Sequence, residues 1–151
     1  MANGVNLFGL QPVTSGRLAG SFELYVDGKP YLAVLKEFEQ PFAGSIAGSY
    51  APGLHLADLS SNSQTARPYV CDCGDEDCWF INVHISYVSD GGHDYVIWHR
   101  WCNPYRNDKS QADQGMYWDY SGLPPLIFAK SQYLSVLNAM ASLDVIGRSD
   151  G

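Results

Sequence analysis

The chain has 151 residues, and sixteen acidic residues against nine Lys and Arg give it a formal net charge of −7. A chain of this length usually forms one domain, so residues 1–151 are expected to be a single domain. The acidic balance argues against general nucleic-acid binding, which needs cations to neutralise phosphates, but it permits a basic protein partner. The sequence has no apolar run of about 20 residues and no signal-peptide pattern at residues 1–5, which predicts a cytoplasmic protein without a membrane partner.

The first regular element in the pattern is a hairpin. Phe22, Leu24 and Val26 alternate with more polar residues, which is the period of a half-buried strand. Asp27 and Gly28 then provide a tight turn, and residues 31–35 are predicted to return as the second strand. Residues around 39–68 are expected to form a mobile loop, with a short strand or helical turn at 54–59, because thirty residues without regular structure would be unusual.

A second hairpin is better specified. Its first strand has an apolar face of Trp79, Ile81, Val83, Ile85 and Tyr87. If Gly91 and Gly92 form a two-residue turn, the residue numbers of paired positions sum to 183. That register places His84 opposite His99, Ile85 opposite Trp98, and Ile81 opposite Cys102, and a one-residue bulge would change it.

The end of the chain predicts a strand followed by a helix. Residues 126–128 have the composition of a short buried strand, and Ser131 is a candidate helix N-cap. Tyr133, Leu137 and Met140 recur at helical spacing, and the helix is expected to end near Asp144, with residues 147–151 as a frayed tail. Strands with one C-terminal helix predict an α+β fold, in which an antiparallel sheet built from two or more hairpins packs against that helix.

Five sequence blocks in this order resemble an uncharacterised family of small bacterial proteins. The blocks are V-D-G-K-P at 26–30, E-Q-P-F-A at 39–43, C-D-C-G-D-E-D-C-W at 71–79, W-D-Y-S-G at 118–122 and F-A-K-S-Q-Y at 128–133. The resemblance implies a bacterial protein that is not secreted, and it implies no activity. The chain departs from the family pattern at Cys102, where the relatives usually have another residue.

The four cysteines allow three interpretations. They are spaced C-x-C-x4-C-x23-C, and the predicted register returns the last of them to the end of the hairpin where the other three lie: Cys71, Cys73, Cys78 and Cys102. Four thiolates at one place are typical of a structural zinc site, although the C-x-C pair fits a tetrahedral ion poorly. A disulfide to Cys102 is the second interpretation, and small reduced thiols that fill a tight turn are the third.

The histidines give little support for an enzyme. His84 and His99 are predicted to be cross-strand neighbours that could share a metal ion or relay a proton, or simply face solvent. His93 is expected to be an exposed turn residue, and His55 is expected to be a partly buried imidazole rather than a metal ligand. Cys102 and His99 are three residues apart on a strand, which predicts opposite faces and no thiolate–imidazole pair. An enzyme would instead need a concave pocket beside the histidine pair, with a third ligand or a carboxylate.

The distribution of charge and aromatic residues favours a binding protein without catalytic activity. No Lys or Arg occurs between Arg67 and Arg100, while six acids do: Asp72, Asp75, Glu76, Asp77, Asp90 and Asp94. These acids are either a solvated surface, a contact surface for a cationic partner, or a cation site. Trp101 and Tyr105 are candidate aromatic anchors, although aromatic residues in this region could equally be packed inside. The hypothesis is an immunity protein that neutralises a basic toxin domain, and the alternative is a zinc-stabilised structural or regulatory module.

Overall fold

A computed structural model describes residues 5–16, 18–72 and 79–149. These residues form an α+β fold with eight strands in two antiparallel sheets. The strands are β1 (Phe8–Pro12), β2 (Phe22–Val26), β3 (Lys29–Pro30), β4 (Tyr50–Pro52), β5 (Gln64–Cys71), β6 (Phe80–Asp90), β7 (His93–Cys102) and β8 (Leu126–Ala129). The helices are α1 (Tyr31–Ala43) and α2 (Lys130–Ser149), and short 3-10 helices cover Gly44–Ile46, Leu56–Asp58, Pro104–Arg106 and Lys109–Gln114.

The smaller sheet has the order β1-β2-β3, and its last strand corrects the sequence prediction. Asp27 and Gly28 do form the predicted turn, with positive φ angles of 55° and 81°. The return strand contains only Lys29 and Pro30, and residues 31–35 are helical rather than extended. A short apolar run fits a helix as well as a strand, and Pro30 cannot donate a hydrogen bond to continue the ladder.

The larger sheet has the order β4-β5-β6-β7-β8, and its central hairpin largely confirms the predicted register. His84 pairs with His99, Ile85 with Trp98, and Asp90 with His93. Gly91 and Gly92 have positive φ angles of 59° and 82°. A two-residue hairpin turn requires such angles, because its twist must match that of the two strands. The core face of β6 contains the predicted residues, with Ile81, Val83 and Ile85 fully buried.

A bulge breaks this register near the end of β7. Asn82, rather than Ile81, pairs with Cys102, so the predicted pairing of Ile81 is wrong. Between the two pairs at His84–His99 and Asn82–Cys102, β7 has one more residue than β6, and Arg100 has a φ of 60° there. An extra residue in one strand shifts every later side chain to the other face.

The segment predicted as a mobile loop around 39–68 contains regular elements. It includes the end of α1, strand β4, the first part of β5 and two 3-10 helices, one of which lies within the predicted 54–59 region. Leu54 and Leu59 are fully buried, and Phe22 pairs with Leu54 in an isolated bridge that joins β2 to the segment after β4. The absence of a periodic pattern here reflects short elements, each of which contributes one or two core residues.

The C-terminal helix α2 packs against β1, β7 and β8, as predicted. It begins at Lys130 directly after β8, so Ser131 lies in its first turn and is not an N-cap; its backbone also continues past Asp144 to Ser149. Gln132 fixes β1 to the helix, because its side chain accepts a bond from the Phe8 N–H (2.9 Å) and donates one to the Phe8 carbonyl (2.7 Å). Beneath it, Phe8, Trp98, Phe128 and Tyr133 form an aromatic core with ring centres 4.4–6.4 Å apart.

Candidate partner-binding surface

The acidic residues of the second hairpin lie at its two ends. Asp90 and Asp94 are exposed at the tip, where the Ser89 hydroxyl donates a 2.5 Å hydrogen bond to Asp94. Asp72 is exposed just after β5, beside the start of β6. The eleven residues of β6 separate these positions by about 33 Å, at roughly 3.3 Å per residue. Asp72 therefore does not share one continuous surface with Asp90 and Asp94, because the hairpin is extended.

Part of the predicted site lies outside the described residues. Those positions are Cys73, Asp75, Glu76, Asp77 and Cys78. The described residues on either side of this turn, Asp72 and Trp79, place both of its ends at the base of the hairpin. Asp72 and Trp79 therefore both lie far from the hairpin tip.

An exposed aromatic residue lies at this same base. Tyr105 is 42% exposed and belongs to the 3-10 helix Pro104–Arg106. The side chain of Asn103 caps this helix and accepts a hydrogen bond from the Tyr105 N–H at 2.9 Å. Its ring meets that of Phe80 edge-on, with centres 5.4 Å apart, and the Arg67 guanidinium lies 3.6 Å above the Phe80 ring centre. We call Arg67, Asp72, Phe80 and Tyr105 the hairpin-base surface.

A second aromatic cluster supports this surface from inside. Arg106 lies 5.3 Å from the ring centre of Trp79 and 5.5 Å from that of the buried Trp118, and the two indoles meet edge-on. The Trp79 indole N–H donates to the Ser49 carbonyl at 3.1 Å. Cation–π contacts of this kind hold an arginine in one orientation. Arg106 is therefore part of the framework next to Tyr105.

Trp101, the other predicted aromatic anchor, is buried. Only 5% of it is exposed, and its ring stacks on Tyr31 with centres 5.1 Å apart. The bulge at Arg100 is the physical reason, because it turns Trp101 towards the core. Trp101 is therefore a core residue, and its assignment as an exposed contact residue is wrong.

The two described cysteines face opposite sides of the larger sheet. Cys71 is buried on the core face of β5, because it lies two residues after Tyr69, which pairs with the core residue Ile81. Cys102 lies on the outer face, because it pairs with Asn82. Both are free thiols, and burial raises the pKa of Cys102. The predicted convergence of Cys102 with Cys71 is therefore wrong; zinc bound by the cysteine turn itself stays a prediction.

The predicted histidine pair is present on the outer face. The rings of His84 and His99 lie edge-to-face with centres 5.3 Å apart, and Ser86 Oγ lies 2.9 Å from His99 Nε2. Partial burial, followed by the charges of His84 and Arg100, lowers the pKa of His99. His93 is exposed at the hairpin tip, as expected. His55 is exposed rather than partly buried, and it lines a pocket with Asn82 and with Thr65, the residue that pairs with His84.

A cavity of about 440 Å³ opens beside His99, where β7 extends beyond its pairing with β8. Cys102, Tyr117 and Asp119 also line it. The bulge brings Cys102 and His99 to the same face, which corrects the expectation that they point apart. A raised thiol pKa keeps Cys102 protonated at neutral pH, and the Ser121 N–H, which donates to Asp119 at 2.9 Å, lowers the pKa of that carboxyl. The concave pocket and the carboxylate that an enzyme on this face would need are therefore present, whereas the raised pKa of Cys102 disfavours its thiolate.

The sequence interpretation missed a buried carboxylate. Glu39 is fully buried in α1, where Oε2 accepts hydrogen bonds from the hydroxyls of Tyr50 (2.8 Å) and Tyr120, and Oε1 accepts the Gly48 N–H (3.0 Å). Asn103 donates to the Tyr50 hydroxyl at 3.1 Å. Glu39 continues the i, i+4, i+8 stripe of Tyr31 and Leu35, which is visible only if residues 31–43 are interpreted as a helix.

Gly48 allows this network to close, and its substitution is expected to be costly. A Cβ at Gly48 would lie 2.5 Å from Lys36 Cβ, and the residue has a φ of 67°. We expect Gly48→Ala to lower the free energy of unfolding by about 2–4 kcal/mol, from left-handed strain together with overpacking. Gly115→Ala, at a φ of 74° with nothing within 4 Å, is the matched control and is expected to cost about 1 kcal/mol. Equal losses in urea denaturation would contradict the steric explanation.

Comparison of the chain with family models, curated proteins and solved structures finds no match. Across the described residues, no helix is long and apolar enough to cross a membrane.

Proposed function

We propose that this chain is a non-catalytic binding protein for a basic protein partner, which it contacts through the hairpin-base surface. The observation that carries the proposal is the exposed Tyr105 ring, which packs edge-on against Phe80 at the base of the hairpin, the end at which β5 leads into Asp72. Tyrosine is common at the energetic centres of protein interfaces, because it contributes a large rigid surface and one polar group.

The charge of the hairpin base supports a cationic partner. The turn and its flank contain four acids, Asp72, Asp75, Glu76 and Asp77, and the nearby cations Arg67 and Arg106 are stacked on aromatic rings. Acidic groups around an aromatic anchor accelerate the encounter with a basic surface and select against acidic partners. The specific form of the proposal is an immunity protein that blocks a basic toxin domain.

The experiment compares the two ends of the hairpin. The probe is the purified product of the gene immediately upstream, which the proposal expects to contain a basic domain. Its affinity and binding rates are measured by surface plasmon resonance. We expect Tyr105→Ala to weaken binding by about 30-fold, as at an interface hot spot, chiefly through faster dissociation. Reversing Asp75, Glu76 and Asp77 to lysine is expected to slow association by about tenfold at low salt.

The hairpin tip supplies the matched control. Asp90→Lys with Asp94→Lys changes the net charge by four units but lies about 33 Å from the hairpin base, so it is expected to leave dissociation unchanged. Equal loss from the tip and base variants would contradict a local contact. If the upstream gene encodes no basic domain, or if binding survives both base variants, the proposal is wrong.

A further inference from the structure

The outer face of the larger sheet contains a side-chain pair that partner binding does not use. His84 and His99 are directly opposed on β6 and β7, both half-buried, and Ser86 is next to them. We propose that His84 and His99 together bind one divalent transition-metal ion of the class that prefers imidazole ligands, such as Zn²⁺, Co²⁺ or Ni²⁺.

The spacing of the rings fits a shared ion. An imidazole nitrogen binds Zn²⁺ at about 2.0–2.1 Å, which places each ring centre about 3.2 Å from the metal. Two such rings at a tetrahedral angle have centres about 5.2 Å apart, and at a right angle about 4.5 Å apart. The observed separation is 5.3 Å, so only small side-chain rotations are needed.

Ser86 provides the outer contact that a metal-binding histidine needs. Its Oγ lies 2.9 Å from His99 Nε2, so an Nε2–H that donates to the hydroxyl leaves Nδ1 as the free nitrogen for the ion. Metal-binding imidazoles are generally oriented by a hydrogen bond to their other ring nitrogen.

The site would be incomplete in protein ligands. Among residues 5–16, 18–72 and 79–149, no group of three or more His, Cys, Asp or Glu side chains is arranged to hold a metal ion. Water therefore fills the remaining positions, as in an open site, and the ion stays accessible to an external ligand.

Co²⁺ is the probe, because thiolate ligands give it an intense near-ultraviolet charge-transfer band that imidazole and water do not. We expect wild-type protein to bind one Co²⁺ at this site without that band, measured by calorimetry and absorption. His84→Gln or His99→Gln should raise the Kd at least tenfold, and Ser86→Ala about tenfold through loss of orientation. His93→Gln, at the hairpin tip six residues along β7 from His99, is the matched control and should leave the Kd unchanged.

A second measurement avoids any dependence on variant folding. In wild-type protein, paramagnetic Co²⁺ should shift or broaden the imidazole NMR signals of His84 and His99 and leave that of His93, at the hairpin tip, unchanged. The proposal is wrong if the His84 and His99 signals do not respond, if the His93 signal responds as strongly as theirs, or if all bound Co²⁺ shows the thiolate band.

Discussion

Above about pH 10, the protein is expected to unfold cooperatively over one to two pH units. Burial raises the pKa of five tyrosines well above the usual value of 10.0: Tyr31, Tyr50, Tyr69, Tyr120 and Tyr133. In the unfolded chain these hydroxyls ionise near pH 10, whereas in the folded protein they stay protonated. The folded state therefore holds more protons above pH 10, and stability that is fully present below that pH is lost as the pH rises.

The expected slope is steep because the five groups act together. Each retained proton lowers the free energy of unfolding by about 1.4 kcal/mol per pH unit, so five give about 7 kcal/mol per pH unit. Tyr50 and Tyr120 are the least tolerant of ionisation, because both hydroxyls bond to the Glu39 carboxyl group. The measurement is urea denaturation at a series of pH values, with circular dichroism and tyrosinate absorbance recorded on the same samples.

Two variants test the assignment. Tyr133→Phe removes a hydroxyl that donates to the Leu59 carbonyl at 2.6 Å, so it should cost about 1 kcal/mol at neutral pH and reduce the alkaline slope by about 1.4 kcal/mol per pH unit. Tyr105→Phe, at an exposed ring, is the control and should leave the slope unchanged. Ionisation of all tyrosines while the circular dichroism of the folded protein persists would contradict the prediction.

Glu39→Ala is expected to lower the free energy of unfolding by about 3–5 kcal/mol. The truncation leaves the hydroxyls of Tyr50 and Tyr120 and the Gly48 N–H without their acceptor, in a site from which water is excluded. These donors belong to β4, to the segment before β8 and to the loop after α1, so the loss affects several elements at once. The measurement is the midpoint and slope of urea denaturation at neutral pH.

The same helix offers a matched control for Glu39. Glu37 is exposed on α1, and Glu37→Ala should change stability by no more than about 0.5 kcal/mol. Glu39→Gln retains one acceptor oxygen and the side-chain shape, so an intermediate loss of about 1–2 kcal/mol is expected. If Glu39→Ala costs no more than Glu37→Ala, the network does not stabilise the fold.

The candidate site was partly visible in the sequence. Tyr105 and the run of acids are apparent from composition, but Phe80 and Arg67 join Tyr105 only because β5 pairs with β6 and a 3-10 helix packs over that pair. The prediction that Asp72, Asp90 and Asp94 share one acidic surface is wrong. These acids occur in one stretch of sequence without Lys or Arg, but the length of strand β6 separates Asp72 from the other two. Glu39 could have been found as a charged residue on an apolar stripe, but the interpretation of residues 31–35 as a strand hid that stripe.

The sequence by itself determined the α+β class, the central hairpin with its glycine turn and His84–His99 pairing, and the excess of acid between Arg67 and Arg100. These features follow from local periodicity, turn chemistry and composition, which depend on neighbours along the chain. Tertiary structure decided that Trp101 is buried, that Cys102 faces away from Cys71, and that Glu39 is enclosed by tyrosines. A single extra residue at Arg100 produces the first two outcomes, because the two-residue period of a strand converts a one-residue shift into a change of face.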